Sequence, residues 1–131
     1  MAFKALLSKP ISNVGPNQHI IFDIVKLNFG NAYSNIHGSF TTPVAGTYML
    51  TVHVCSGGAH YVHLEMVQNG DVISEVLAGD AAYTDCADST TVAVLQAGDV
   101  IFVRHHSSVG DFVYSSATGY TTGFNGVLLG H

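Results

Sequence analysis

A chain of 131 residues, 47% of them hydrophobic and 10% charged, has room for one domain and one core, here read as the whole of 1–131. A net charge of −5 with only four Lys plus Arg excludes a nucleic-acid binder, which needs a basic stripe. No apolar run approaches the roughly 18 residues of a membrane span, and the charge falls well short of the about one quarter usual for soluble domains. That shortfall predicts a surface of neutral polar residues, or one covered in an oligomer.

In chain order the pattern is one of short β-type runs between turn residues. Nowhere does a helical period last long enough for a stable helix without a Gly, Pro or β-branched cluster interrupting it. Met1 leads directly into a strand over 3–7, with neither a leader peptide nor a collagen-like Gly-X-Y tract before it, as expected of a mature form or an excised domain. Residues 10–18 read as a loop punctuated by Gly15-Pro16-Asn17, and 19–28 as an apolar, β-branched strand. A short twisted strand is expected within 29–36, another over 39–41, and a turn at Pro43-Val44-Ala45-Gly46.

The run 47–55 is the clearest strand. One face carries Tyr48, Leu50, Val52 and Val54, the other Met49, Thr51, His53 and Cys55. Neither face is solvent-like, so the strand needs a layer on each side: the opposing sheet of a sandwich and, on the other side, a second subunit. Tyr48 and His53 are therefore the candidate interface residues. Residues 61–68 and 71–77 flank Asn69-Gly70, a strong two-residue hairpin signal. A second hairpin joins 90–95 to 100–104 through Ala97-Gly98-Asp99, residues 107–122 read as a loop, and 123–129 close the domain. Ten short, evenly spaced strands predict an all-β jelly-roll sandwich.

The spacing Phe22-x5-Asn28-x4-Tyr33-x6-Phe40-x5-Gly46-x-Tyr48 resembles the signature of the complement C1q globular domain, with Leu50 and Val52 at its last two aromatic positions. The turn Leu95-x-x-Gly98-Asp99-Val100 and the closing run Phe124-Asn125-Gly126-Val127-Leu128-Leu129 extend the resemblance over nearly the whole chain. It implies a ten-stranded jelly roll packed as a homotrimer, with the sheet of the N-terminal, 47–55, 90–95 and C-terminal strands facing the threefold axis. It also implies a secreted, adhesive, non-catalytic module; histidine richness and the lack of a stalk look most like the invertebrate, molluscan members that bind glycans or microbial surfaces. The alternatives are a structural or signalling trimer with a protein ligand, or an extracellular carrier of calcium or zinc.

Cys55 and Cys86 lack metal-knuckle spacing, leaving a disulfide or two buried thiols. The family's sheet order, in which their strands are antiparallel neighbours, implies the bridge. Asp80, Asp85 and Asp88 form an acidic loop that could supply calcium with oxygen ligands, as the family's trimer apex does in some members. A solvated loop is the competing reading. Zinc ranks behind calcium: within His60-x-x-His63 and within His105-His106 the two side chains of each pair point to opposite faces of a strand. A ring of three His53 residues about a threefold axis is the remaining zinc candidate, against a plain interfacial histidine. Phe112, Tyr114 and Tyr120 lie among small hydroxyl residues with Asp111, a composition suited to stacking on sugar rings, and Arg104 could pair with a sugar carboxylate. No nucleophile elbow is present, and Glu65 and Glu75 lie in opposite arms of one hairpin, so an enzyme is not expected.

Overall fold

The structure, a computed structural model, describes residues 1–106, 111–116 and 120–130. Among them are twelve strands: β1 (Ala2–Leu6), β2 (Ile11–Val14), β3 (Ile24–Phe29), β4 (Tyr33–Ser34), β5 (Ser39–Thr41), β6 (Gly46–Ser56), β7 (Tyr61–Gln68), β8 (Asp71–Gly79), β9 (Cys86–Leu95), β10 (Val100–His105), β11 (Asp111–Tyr114) and β12 (Gly123–Gly130). One sheet runs β2-β11-β6-β12-β1-β3, with β9 on the other flank of β6; the second runs β4-β5-β10-β7-β8. All the strand pairs are antiparallel. This is the expected sandwich, and the N-terminal, β6, β9 and C-terminal strands do share one sheet.

Two strands are additions to the expected ten. β2 lies in the segment read as the loop 10–18, and β11 in the segment read as the loop 107–122. They pair with each other at the sheet edge with a register irregularity, and β11 also pairs with the end of β6. A four-residue strand whose partner lies about a hundred residues away leaves no local alternation to read. The strand expected over 19–28 occupies only Ile24–Phe29, while His19 makes an isolated bridge to Arg104.

The core between the sheets is aromatic at its centre. The Phe3 ring stacks on Phe40 at 4.6 Å and on Tyr33 at 5.3 Å, and meets Phe124 edge-on at 4.9 Å. Tyr48 joins through Phe40, and Phe22 through Phe124. Asn69 and Gly70 both take positive φ, the conformation a two-residue hairpin of matching twist requires. Among the described residues no helix is long and apolar enough to cross a membrane.

Candidate functional site

The outer face of the β4-β5-β10-β7-β8 sheet carries most of the ionic chemistry. Register places Arg104 beside Glu65 and Glu65 beside Glu75 across three strands. The hairpin arms expected to separate the two glutamates instead set them side by side. Two neighbouring carboxylates need counter-charges, and each has a partner. Arg104 Nε donates to Glu65 Oε1 at 3.0 Å, and His63 Nε2 lies 3.0 Å from Glu75 Oε1. Arg104 is thus engaged on this face and is not grouped with the tyrosines it was expected to assist.

His106 follows β10 and continues its ladder, its N–H donating to His63 O at 2.9 Å. The His63 and His106 rings stack with centroids 4.1 Å apart and planes within 7°. The candidate metal ligands His63, Glu75 and His106 have ligand atoms all within 4.8 Å of one another. A cleft of about 540 Å³ opens beside them, lined also by Tyr61, Leu77, Asp85 and Asp111. Reading each histidine pair by itself missed this set: one member of each pair is brought to one surface, and the cross-strand register supplies the glutamate. Alternation along β7 and β8 was the signal that could have shown His63 and Glu75 sharing the outer face.

Asp111, expected to contact ligand, is structural. Its Oδ2 accepts the His63 N–H at 3.2 Å and lies 2.8 Å from Nε2 of the fully buried His105, whose Nδ1 is 2.8 Å from Gly15 O. The carboxylate ties β11 to β7 and β10, and so helps position His63.

The aromatic residues of β11 do come together. Val113 points into the core, which by alternation turns Phe112 and Tyr114 outward. A row follows from His60 to Phe112 (5.3 Å), Tyr114 (6.4 Å) and Tyr120 (6.1 Å) between ring centroids, with Tyr120 48% exposed. Gly57 makes the row possible, since a Cβ there would lie 2.7 Å from the Phe112 ring.

The acidic loop is corrected. Asp80 Oδ2 accepts the N–H groups of Ala82 and Tyr83, both at 2.8 Å, which holds its carboxyl below the usual range. Asp85 Oδ2 accepts the Gly79 N–H at 3.0 Å, and Asp88 stands on β9 in register with His53. Two of the three carboxylates cap the loop's own backbone, and among the described residues of one chain the three do not converge into a calcium cage.

Cys55 and Cys86 are register partners joined by a disulfide, with Cα atoms 4.0 Å apart. They are therefore not thiolate ligands, although His53 lies close by. Tyr48, expected at a subunit interface, is corrected too. It is fully buried in its own chain, its hydroxyl donating to Val44 O at 2.8 Å. His53 is half-buried on the outer face, where the apolar residues Met49, Val92, Val94 and Leu129 are also exposed.

Comparison with known proteins places these features in context. The C1q domain family profile matches residues 2–129. The chain is 30% identical to the heavy metal-binding protein HIP of Mytilus edulis over 112 residues, 84% of this chain and 52% of that one. It is 28% identical to the complement C1q tumor necrosis factor-related protein 3 of Mus musculus over 106 residues, 79% of this chain and 42% of that one. It therefore spans about half, or less, of the length of these relatives. The globular domain of zebrafish complement 1qA superposes with a TM-score of 0.78 at 17% identity, over 98% of this chain and 96% of that one.

Proposed function

Because this chain belongs to the C1q domain family, we propose that it is a secreted, non-catalytic recognition module of innate immunity that binds carbohydrate on microbial surfaces as a homotrimer. The observation that carries the ligand class is the row Phe112, Tyr114 and Tyr120, extended by His60. Aromatic faces offer apolar area to the C–H faces of sugars, while Tyr hydroxyls hydrogen-bond their edges. Single sites of this kind are weak. Three copies on one trimer gain avidity through effective concentration without any new contact.

Domains of this family form trimers, and the exposed apolar outer face of the β6–β9 sheet supports the same assembly here. Val92 and Val94 are 60% and 69% exposed there, flanked by Met49 and Leu129. Contiguous apolar surface of this sort marks a protein contact. The disulfide suits an oxidising, extracellular setting.

A glycan array probed with the wild-type chain and with Tyr114→Ala and Tyr120→Ala tests the reading. Selective glycan binding, weakened about tenfold or more by either substitution, is the expected result. An array that stays silent, or binding that ignores both tyrosines, overturns it. A second reading, metal binding, is supported by the His63, Glu75 and His106 set and by the name of the mussel relative. Zinc uptake in equilibrium dialysis tests it, and a chain that takes up none defeats it.

A further inference from the structure

We infer that His63, Glu75 and His106 form a specific site for one divalent transition-metal ion of the zinc–copper type per chain. This deepens the metal-binding reading by naming the ligands, the metal class and the conformational change on binding.

The donor set decides the class of metal. Two imidazole nitrogens and one carboxylate oxygen suit zinc and copper(II), whereas calcium wants six or more oxygens. Distances are compatible. A tetrahedral ion with bonds of about 2.0–2.2 Å sets its ligand atoms about 3.3–3.5 Å apart. Here His63 Nε2 and Glu75 Oε1 are 3.0 Å apart, and all three ligand atoms lie within 4.8 Å. Side-chain rotation alone can therefore bring the three atoms to one ion, and Glu75 is exposed and able to follow.

The backbone beneath the site is fixed. The His106 N–H bonds His63 O, and the His63 N–H bonds Asp111 Oδ2. The surroundings favour a cation as well. Asp85 and Asp111 line the adjoining cleft, and no Lys or Arg does so among the described residues. Arg104 is held by Glu65, so the nearest guanidinium is already neutralised.

Without metal, a carboxylate can only accept, so His63 Nε2–H is the donor to Glu75. On binding, the ion takes the place of that proton, and the neutral ring carries its proton on Nδ1. The stacked geometry must also change. A metal in the plane of one ring cannot lie in the plane of the other while they are parallel at 4.1 Å. One ring swings out, and unstacking of His63 from His106 is the structural mark of occupancy. Three protein ligands leave a fourth position open to water or to a donor from a bound molecule.

The test uses the full chain with zinc and copper(II) as probes. Calorimetry is expected to give one zinc per chain, undisturbed by millimolar calcium. Loss of an outer-shell partner alone commonly costs 10–100-fold in metal affinity. Glu75→Gln, an exposed and conservative change, is therefore expected to weaken zinc by about tenfold or more. The double variant His63→Ala/His106→Ala is expected to abolish uptake, with His37→Ala, outside the site, unchanged. In the unmodified protein, one equivalent of copper(II) should broaden the ring resonances of His63 and His106 before those of the other histidines, so the assignment does not depend on any variant folding. If the wild type takes up no zinc, both this site and the metal-binding reading fall. Uptake that survives in the double variant, a zinc affinity unchanged in Glu75→Gln, or broadening that begins at other histidines, overturns this site and leaves the broader reading standing.

Discussion

Asn28 shows why widely spaced single residues can identify a fold. Its side chain brackets the backbone of Tyr33, with Nδ2 donating to Tyr33 O at 3.0 Å and Oδ1 accepting Tyr33 N–H at 3.1 Å. Tyr33 in turn donates its hydroxyl to Phe22 O at 2.7 Å, and burial with that desolvation pushes the phenol's pKa up. Phe22, Tyr33, Phe40 and Tyr48 are all buried, and a Cβ on Gly46 would stand 2.6 Å from Gly130 O. The spaced pattern is thus a description of the core and its corners, and it says nothing of ligand. Asn28→Ala leaves two partly buried backbone groups without their partner, so it is expected to cost about 2–3 kcal/mol. Urea unfolding checks this. An unchanged midpoint would show that water takes over both bonds at no cost.

At the scale of elements, two ties join strands that are distant in sequence. The Cys55–Cys86 bridge links β6 to β9 across a separation of 31 residues. In the chain-entropy model, closing such a loop is worth about 3–4 kcal/mol. The double variant Cys55→Ala/Cys86→Ala is expected to lose about that much in denaturant titration. The second tie is Asp99, which joins the turn of the β7–β8 hairpin to the turn between β9 and β10; the hairpin expected there is not formed, because β9 pairs with β6 in one sheet and β10 with β5 and β7 in the other. Its carboxylate accepts the Gln96 N–H at 2.8 Å, Asn69 Nδ2 at 2.9 Å and Gln68 Nε2 at 3.2 Å. The Gln96 N–H above all, then the Asn69 amide, holds its pKa below the ordinary value of 3.8. A depressed folded-state pKa means the unfolded chain binds the proton more readily. The stabilisation is therefore full above the ordinary carboxylate pKa and is lost as pH falls through the lower folded value. Thermal midpoints below about pH 4 should fall more steeply in the wild type than in Asp99→Asn, which has no such proton to take up. Parallel pH profiles for the two proteins would remove Asp99 from the account.

For the whole molecule, the two sheets divide the work. The outer face of the β6–β9 sheet exposes aliphatic side chains, while that of the β7–β10 sheet carries the ion pairs and the histidine–glutamate set. In the proposed trimer the first face is covered by other copies. Val92→Glu/Val94→Glu places two charges per chain on it and is expected to convert the trimer to a folded monomer of 13.8 kDa. Light scattering with circular dichroism reads both properties. A variant that remains trimeric would move the interface elsewhere. On the same face Asp88 stands in register beside His53.

The sequence by itself determined the sandwich. The run 47–55, apolar on both faces, the Asn69-Gly70 turn and the buried signature residues are local patterns, and each encodes a conformation within a few residues of itself. It also grouped Phe112, Tyr114 and Tyr120 by composition within one segment read as a loop, whereas the strand that turns Phe112 and Tyr114 to one face came only with the structure. Register between strands is what only the tertiary structure decided. It set Glu65 against Glu75, gave Arg104 to Glu65, buried Tyr48 in its own core, and drew Asp111 in beneath His63. It also joined His63 of β7, Glu75 of β8 and His106, just past β10. Such sites depend on which residue faces which across a ladder, and a shift of one residue would send every one of those side chains to the opposite face.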